Sequence, residues 1–212
     1  MTTMTQQLRT TWHNALGKRV DIGLAIEEWD ALIAKYNEPH RHYHDVSHLE
    51  RLLDVSVLVP DSIKDMSFWM ALFYHDVIYD THAADNEEKS AEHAAQVLAR
   101  LGFNKFAQHD VKQLILATKT HTPLPPPLSE PSKYVLDADL SILGFADEDY
   151  NQYACGIREE YSWVGDDDYR RERGKILARF SQRDRIYYTK PFFENFEQQA
   201  RYNIGRELAT LR

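Results

Sequence analysis

Cysteine is almost missing from this chain. Cys155 is the single thiol, so no disulfide can close within the chain and no thiolate zinc cluster can form in it. Any metal must therefore sit on nitrogen and oxygen ligands. Basic residues are in deficit, with 25 Lys plus Arg against 33 Asp plus Glu and a formal charge of -8. That balance argues against a surface built to coat nucleic acid or an anionic membrane. Long apolar runs are missing too. No stretch reaches the roughly 18 residues of a membrane span, and the opening MTTMTQQLRTTWHN has no apolar core of signal-peptide length. A soluble cytoplasmic protein is the expectation. No segment alternates apolar and polar residues with the period of a half-buried strand, so β-structure is not expected.

What is present is helical. The chain has 212 residues, 43% of them hydrophobic, enough for a sizeable core and within the range of one domain spanning 1–212. Ile22, Ala25, Ile26, Trp29, Leu32, Ile33 and Tyr36 recur at three- and four-residue steps, predicting one buried helical face that ends at Pro39. A second pattern runs from Val46 to Val57. A third, from about Ser62 through FWMALFYHD, is apolar nearly all round and predicts a central helix. Asn86 is the expected N-cap of the next helix with Gly102 as its stop, and Asn104 opens another. The run PLPPPLSEP from 123 to 131 reads as a rigid surface connection. Beyond it lie a helix in SKYVLDADLSIL stopped by Gly144 and three more over about 147–163, 167–180 and 191–211. The fold class is all-α, with roughly eight or nine helices.

Ten histidines are the compositional oddity, and His40, His42, His44 and His48 crowd into nine positions. If a helix begins near Asp45, His44 and His48 project to one side of its first turn. His75 and Asp76 are neighbours at the end of the most apolar helix, where an unpaired carboxylate is costly to bury. Asp137 and Asp139 interrupt an otherwise core-like segment, and the same cost applies to whichever points inward. Two residues apart on a helix, they diverge by roughly 200°. Buried acids with histidines invite a divalent metal, and a set of two imidazoles and two carboxylates suits Mn, Mg, Fe, Co, Ni or Zn with positions left over for water or substrate. Open positions mean chemistry, and hydrolysis by a metal-activated water is the natural reaction type.

The order His48, then His75-Asp76, then Asp139 resembles the H…HD…D signature of the HD superfamily of metal-dependent phosphohydrolases. Tyr43-His44-Asp45-Val46-Ser47-His48 is also similar to the Y-H-N-x-x-H segment of cyclic-nucleotide phosphodiesterases, with Asp45 in place of asparagine, and Ala138-Asp139-Leu140-Ser141 to their C-D-L-S segment. The motif-bearing core covers about 41–144. Together with N-E-x-x-S-A, H-D-x-x-Y and the late A-R-x-N of Ala200-Arg201-Tyr202-Asn203, the whole resembles a small bacterial group of predicted metal-dependent HD phosphohydrolases. The resemblance implies an HD-type helical bundle and a metal on His48, His75, Asp76 and Asp139, with Asp137 as the fallback ligand. It also implies His44 as the proton donor to the leaving oxygen; the residues alone also allow His44 to orient a ligand, and His42 could substitute for it as donor. Asp76 counts as catalytic as well as ligating.

The implied substrate is a small phosphorylated molecule, nucleotide-like in class, acted on as a phosphomonoester or phosphodiester. Arg41, Lys119 and Lys190 are the candidate cations for its phosphate, and Arg41 and Lys119 could instead support the ligands from behind. Glu87, Glu88 and His121 are candidates for substrate contact or for orienting the ligands, and His121 could complete a second metal site. His13, His40, His82, His93 and His109 read as ordinary surface or core histidines. The aromatic stripe of Tyr187, Tyr188, Phe192, Phe193 and Phe196 reads as core or as the face of a homodimer. Two other functions fit the same residues: a di-iron oxygenase, which needs ligands for a second metal, and a non-catalytic metal-holding sensor or interaction domain.

Overall fold

The protein, seen in a computed structural model that describes residues 3–18 and 20–211, is all-helical, with no strand among the described residues. Among the described residues, ten α-helices and two short 3-10 segments follow one another. The helix beyond the expected nine is α1 (Thr3–Leu16). It buries Leu8, Trp12 and Leu16, about one residue per turn, and that thin stripe is lost among threonines and glutamines. The chain divides into two compact units, Met1–Leu136 and Asp137–Arg212, and the division falls inside helix α7 (Ser129–Asp139).

The first unit is organised around α4 (Met66–Tyr74), in which Phe68, Met70, Ala71, Leu72, Phe73 and Tyr74 are all buried. A helix this apolar on every side has no solvent face, and it is enclosed by α1, α3 (Val46–Val55), α5 (Asn86–Arg100) and α6 (Lys105–Thr118). Asp65 starts α4 by accepting from the Phe68 N–H at 3.0 Å. The chain leaves its other end at His75 and Asp76. On α2 (Ile22–Tyr36) the buried stripe is narrower than expected: Trp29, Leu32 and Tyr36 are in the core, but Ile22 is 67% and Ile26 36% exposed, while Glu28 is buried and paired with Arg100 at 2.7 Å.

Gly102, at φ +82, ends α5 as expected, with the Gly102 N–H on Ala99 O and the Phe103 N–H on Leu98 O, the paired bonds of a Schellman cap. The other end differs from expectation. Asp85 holds the N-cap position, and Asn86 instead clamps Asp80, accepting from its N–H and donating to its carbonyl. Asn104 caps α6 as expected, accepting from the Ala107 N–H. Ser129, Glu130 and Pro131, read as part of the proline-rich connection, are the first turn of α7; proline is tolerated there because first-turn N–H groups have no intrahelical partner.

In the second unit a 3-10 segment, Leu140–Gly144, packs on α10 (Lys190–Thr210) and on α8 (Asp147–Glu160), and α10 also packs on α9 (Asp166–Ser181). The A-R-x-N residues are structural. Asn203 is fully buried and donates to Leu143 O and Phe145 O, and Arg201 bonds Glu197 and the carbonyls of Ser181, Arg183 and Asp184. Tyr187 and Phe192 of the aromatic stripe are fully buried core. No helix among the described residues is long and apolar enough to cross a membrane.

Candidate metal centre

Asp45 is the N-cap of α3, accepting from the Ser47 N–H at 2.8 Å. That start places His44 just ahead of the helix and His48 in its first turn. His48, buried, meets His75 at the end of α4, with their Nε2 atoms 3.1 Å apart. Asp76 Oδ2 lies 3.0 Å from His75 Nε2 and 3.8 Å from His48 Nε2. Asp139, the last residue of α7, offers a carboxylate oxygen to the same group. One ligand atom from each of His48, His75, Asp76 and Asp139 lies within 4.8 Å of all the others, so the four could hold a metal ion.

The proton inventory of this group tests whether a cation fits. His75 Nδ1 lies 2.9 Å from the carbonyl of Leu72, which can only accept, so Nδ1 carries a proton and donates it. In a neutral imidazole Nε2 is then a bare lone pair, and it faces the Asp76 carboxylate, which also only accepts. A lone pair and an ionised carboxylate at 3.0 Å repel unless a proton or a cation lies between them. Either a proton lies between them, on His75 Nε2 or on Asp76, or a cation occupies the centre. The carbonyl on Nδ1 is the arrangement by which proteins orient a metal-binding histidine.

His44 stands beside this group. Its Nε2 is 3.8 Å from Asp76 Oδ2, and its side chain is 19% exposed, so it meets both the centre and solvent. Its ring lies 4.3 Å from that of Tyr79, tilted by 33°, and 4.8 Å edge-on from that of Tyr43. His42 is exposed. Tyr79 is a residue that sequence reasoning did not single out, although it closes the H-D-x-x-Y string.

The other candidates lie elsewhere or are otherwise engaged. Of the two roles expected for Arg41, the contacts fit support of the ligands and not substrate contact: its guanidinium is wholly buried, and every donor is spent on Glu38 and on the carbonyls of His44, Asp76 and Val77. It has no face left for a phosphate. Lys119 binds Glu88 and the carbonyl of Ala84; this hydrogen bond draws the Glu88 carboxyl below its ordinary range and the Lys119 ammonium above its own. Glu87 sits in the first turn of α5. Lys190 is exposed and lies near Glu194 on the next turn of α10. His121 follows α6 with a left-handed φ of 48 and is outside the four-residue group. Asp137 is fully buried and accepts from Tyr188 and Thr189. His40 bonds the carbonyl of Tyr79, and His109 is exposed.

No protein-family model matches this chain, and no curated protein matches it.

Proposed function

We propose that this protein is a metal-dependent phosphohydrolase of the HD type, acting on a nucleotide or another small phosphate ester. The observation that carries the reading is the convergence of two buried histidines and two partly buried carboxylates: the proton-committed His75, His48 at 3.1 Å and Asp76 at 3.0 Å, with Asp139 completing the set. His48, His75, Asp76 and Asp139 would hold a divalent cation, which when bound supplies an activated water and neutralises charge on the substrate. Two imidazoles and two carboxylates leave room in an octahedral shell for both.

The chain's own part in the reaction falls to His44. As water adds to phosphorus and the ester P–O bond breaks, the departing oxygen needs a proton, and a protonated His44 Nε2 at the half-exposed edge of the centre supports that role. Asp76 contributes twice, as a ligand and as the acceptor facing the His44 ring. Tyr79 and Tyr43 hold that ring from two sides.

The test pairs elemental analysis of purified protein with a hydrolysis screen against nucleotides and generic phosphate esters in added Mn, Mg, Co, Ni, Fe or Zn. The expected result is at least one bound ion per chain and metal-dependent release of phosphate or alcohol. Asp76→Ala should remove both. Full turnover in metal-free Asp76→Ala protein would overturn the reading, and bound iron with oxygen consumption would replace it with oxidation.

A further inference from the structure

A guanidinium carries five N–H donors in one plane, and Arg41 uses all five. Nε and Nη2 each donate to Glu38 Oε2 at 3.2 Å. The remaining Nη2 proton goes to the carbonyl of Val77 at 3.0 Å, and the two on Nη1 go to the carbonyls of His44 at 3.0 Å and Asp76 at 2.7 Å. The faces are occupied as well: Cζ lies 5.0 Å from the centre of the Tyr36 ring and 5.5 Å from that of Tyr79. Tyr79 in turn lies against His44, so guanidinium, phenol and imidazole follow one another as layers. Glu38 is kept charged. Burial opposes its ionisation, but hydrogen bonds and charge from Lys35 and Arg41 outweigh burial and hold its carboxyl below the ordinary range.

Burying a charged side chain at the junction of two loops is costly, and a purely structural junction could be filled with apolar groups. Here the charge reaches two particular peptides, those of His44 and Asp76, which are 32 residues apart in sequence and carry the proton donor and a metal ligand of the proposed site. We propose that Arg41 is a positioning residue that locks the loop before α3 to the turn after α4. In this role it sets the distance of His44 from Asp76 and aims the Asp76 carboxylate at the metal. This rests on the metal-dependent reading above. Lysine cannot replace it, because an ammonium has three donors and no plane: it cannot bridge three carbonyls, fork onto Glu38 and present a face to Tyr79 together.

The test titrates Co²⁺ into metal-depleted wild type, Arg41→Lys and Glu38→Gln, following affinity by calorimetry, ligand geometry by the visible Co²⁺ bands, and folding by circular dichroism. Folded Arg41→Lys should bind Co²⁺ about tenfold or more weakly, as when an outer partner of a ligand is lost, with shifted bands. Where phosphate-ester turnover is measurable, kcat should fall more than KM. If Arg41→Lys does not fold, Glu38→Gln decides, since it leaves Arg41 and its carbonyls in place but loosens the fork; weaker binding with displaced bands is again expected. A folded variant with wild-type affinity and bands, even at a lower melting temperature, would make Arg41 a merely structural residue and overturn the proposal. Wild type that binds no Co²⁺ would instead remove the metal-dependent reading beneath it.

Discussion

Asp137 and Thr189 are joined twice through one oxygen: Asp137 Oδ2 accepts both the backbone N–H and the hydroxyl of Thr189 at 2.7 Å. Oδ1 accepts the Tyr188 N–H at 2.8 Å. Thr189 is the N-cap residue of α10, so this fully buried carboxylate organises the entry to that helix. Burial pushes its pKa up to about 6 although all three donors favour the charge. Asp137 is therefore occupied in holding backbone, while Asp139, on another side of the same helix, joins the histidines. Asp137→Ala should strand three donors, the two of Thr189 buried, and destabilise the protein by about 2–4 kcal/mol, read as a lower urea midpoint. The variant that stays folded should keep its metal. Loss of bound metal with unchanged stability would instead make Asp137 the ligand.

His44 is beside the proposed ligands without being one of them, and that separates binding from rate. His44→Asn should retain the wild-type metal content and fold, yet hydrolyse phosphate esters about 10²–10⁴-fold more slowly, the range of a lost proton donor. The deficit should shrink for esters with good leaving groups, which depart without a proton. Equal rates for wild type and variant on a poor leaving group would remove His44 from the reaction.

Lys119 was a reasonable phosphate cation by position alone. In the structure its ammonium is held by Glu88 and Ala84 O. Lys119→Ala should therefore leave KM for small phosphate esters close to wild type, with the melting temperature also little changed because the pair is exposed. A several-fold rise in KM would show that Lys119 swings from Glu88 to the substrate.

The helical class was legible in the three- and four-residue apolar period, and burial cost marked the acids amid VLDADL and LFYHD as groups that need a cation or hydrogen-bond donors; the choice of His48 and Asp139 came from the resemblance to the H…HD…D signature. The start of α3 near Asp45 was expected, and the structure makes Asp45 its N-cap. The choice between Asp137 and Asp139 was not settled by burial, since both satisfy it, and only the location of Tyr188 and Thr189, some 50 residues on, separates them. Whether Arg41 meets the substrate or supports the ligands was not legible, because a cation beside a histidine motif reads as exposed until its carbonyl partners, 35 and 36 residues away, are known. α1 was missed because one buried residue per turn is a weak periodic signal. Asn86 was displaced from its cap by a side-chain clamp on Asp80 that no propensity encodes.

Gly144 ends the 3-10 segment that follows Asp139, and its missing side chain is a packing requirement. A Cβ there would fall 2.5 Å from Phe196 Cβ, 2.6 Å from its carbonyl oxygen and 2.9 Å from its Cα. The oxygen and Cα are backbone of α10, so a rotamer change cannot make room. Gly144→Ala should cost about 1–3 kcal/mol or more as the two elements separate, seen as a lower urea midpoint. Trimming the neighbour should not help, because Phe196→Ala leaves Cβ, Cα and carbonyl in place. The double variant Gly144→Ala with Phe196→Ala should thus be less stable than either single one; recovery of stability in the double variant would show that the ring, rather than the helix backbone, sets the need for glycine.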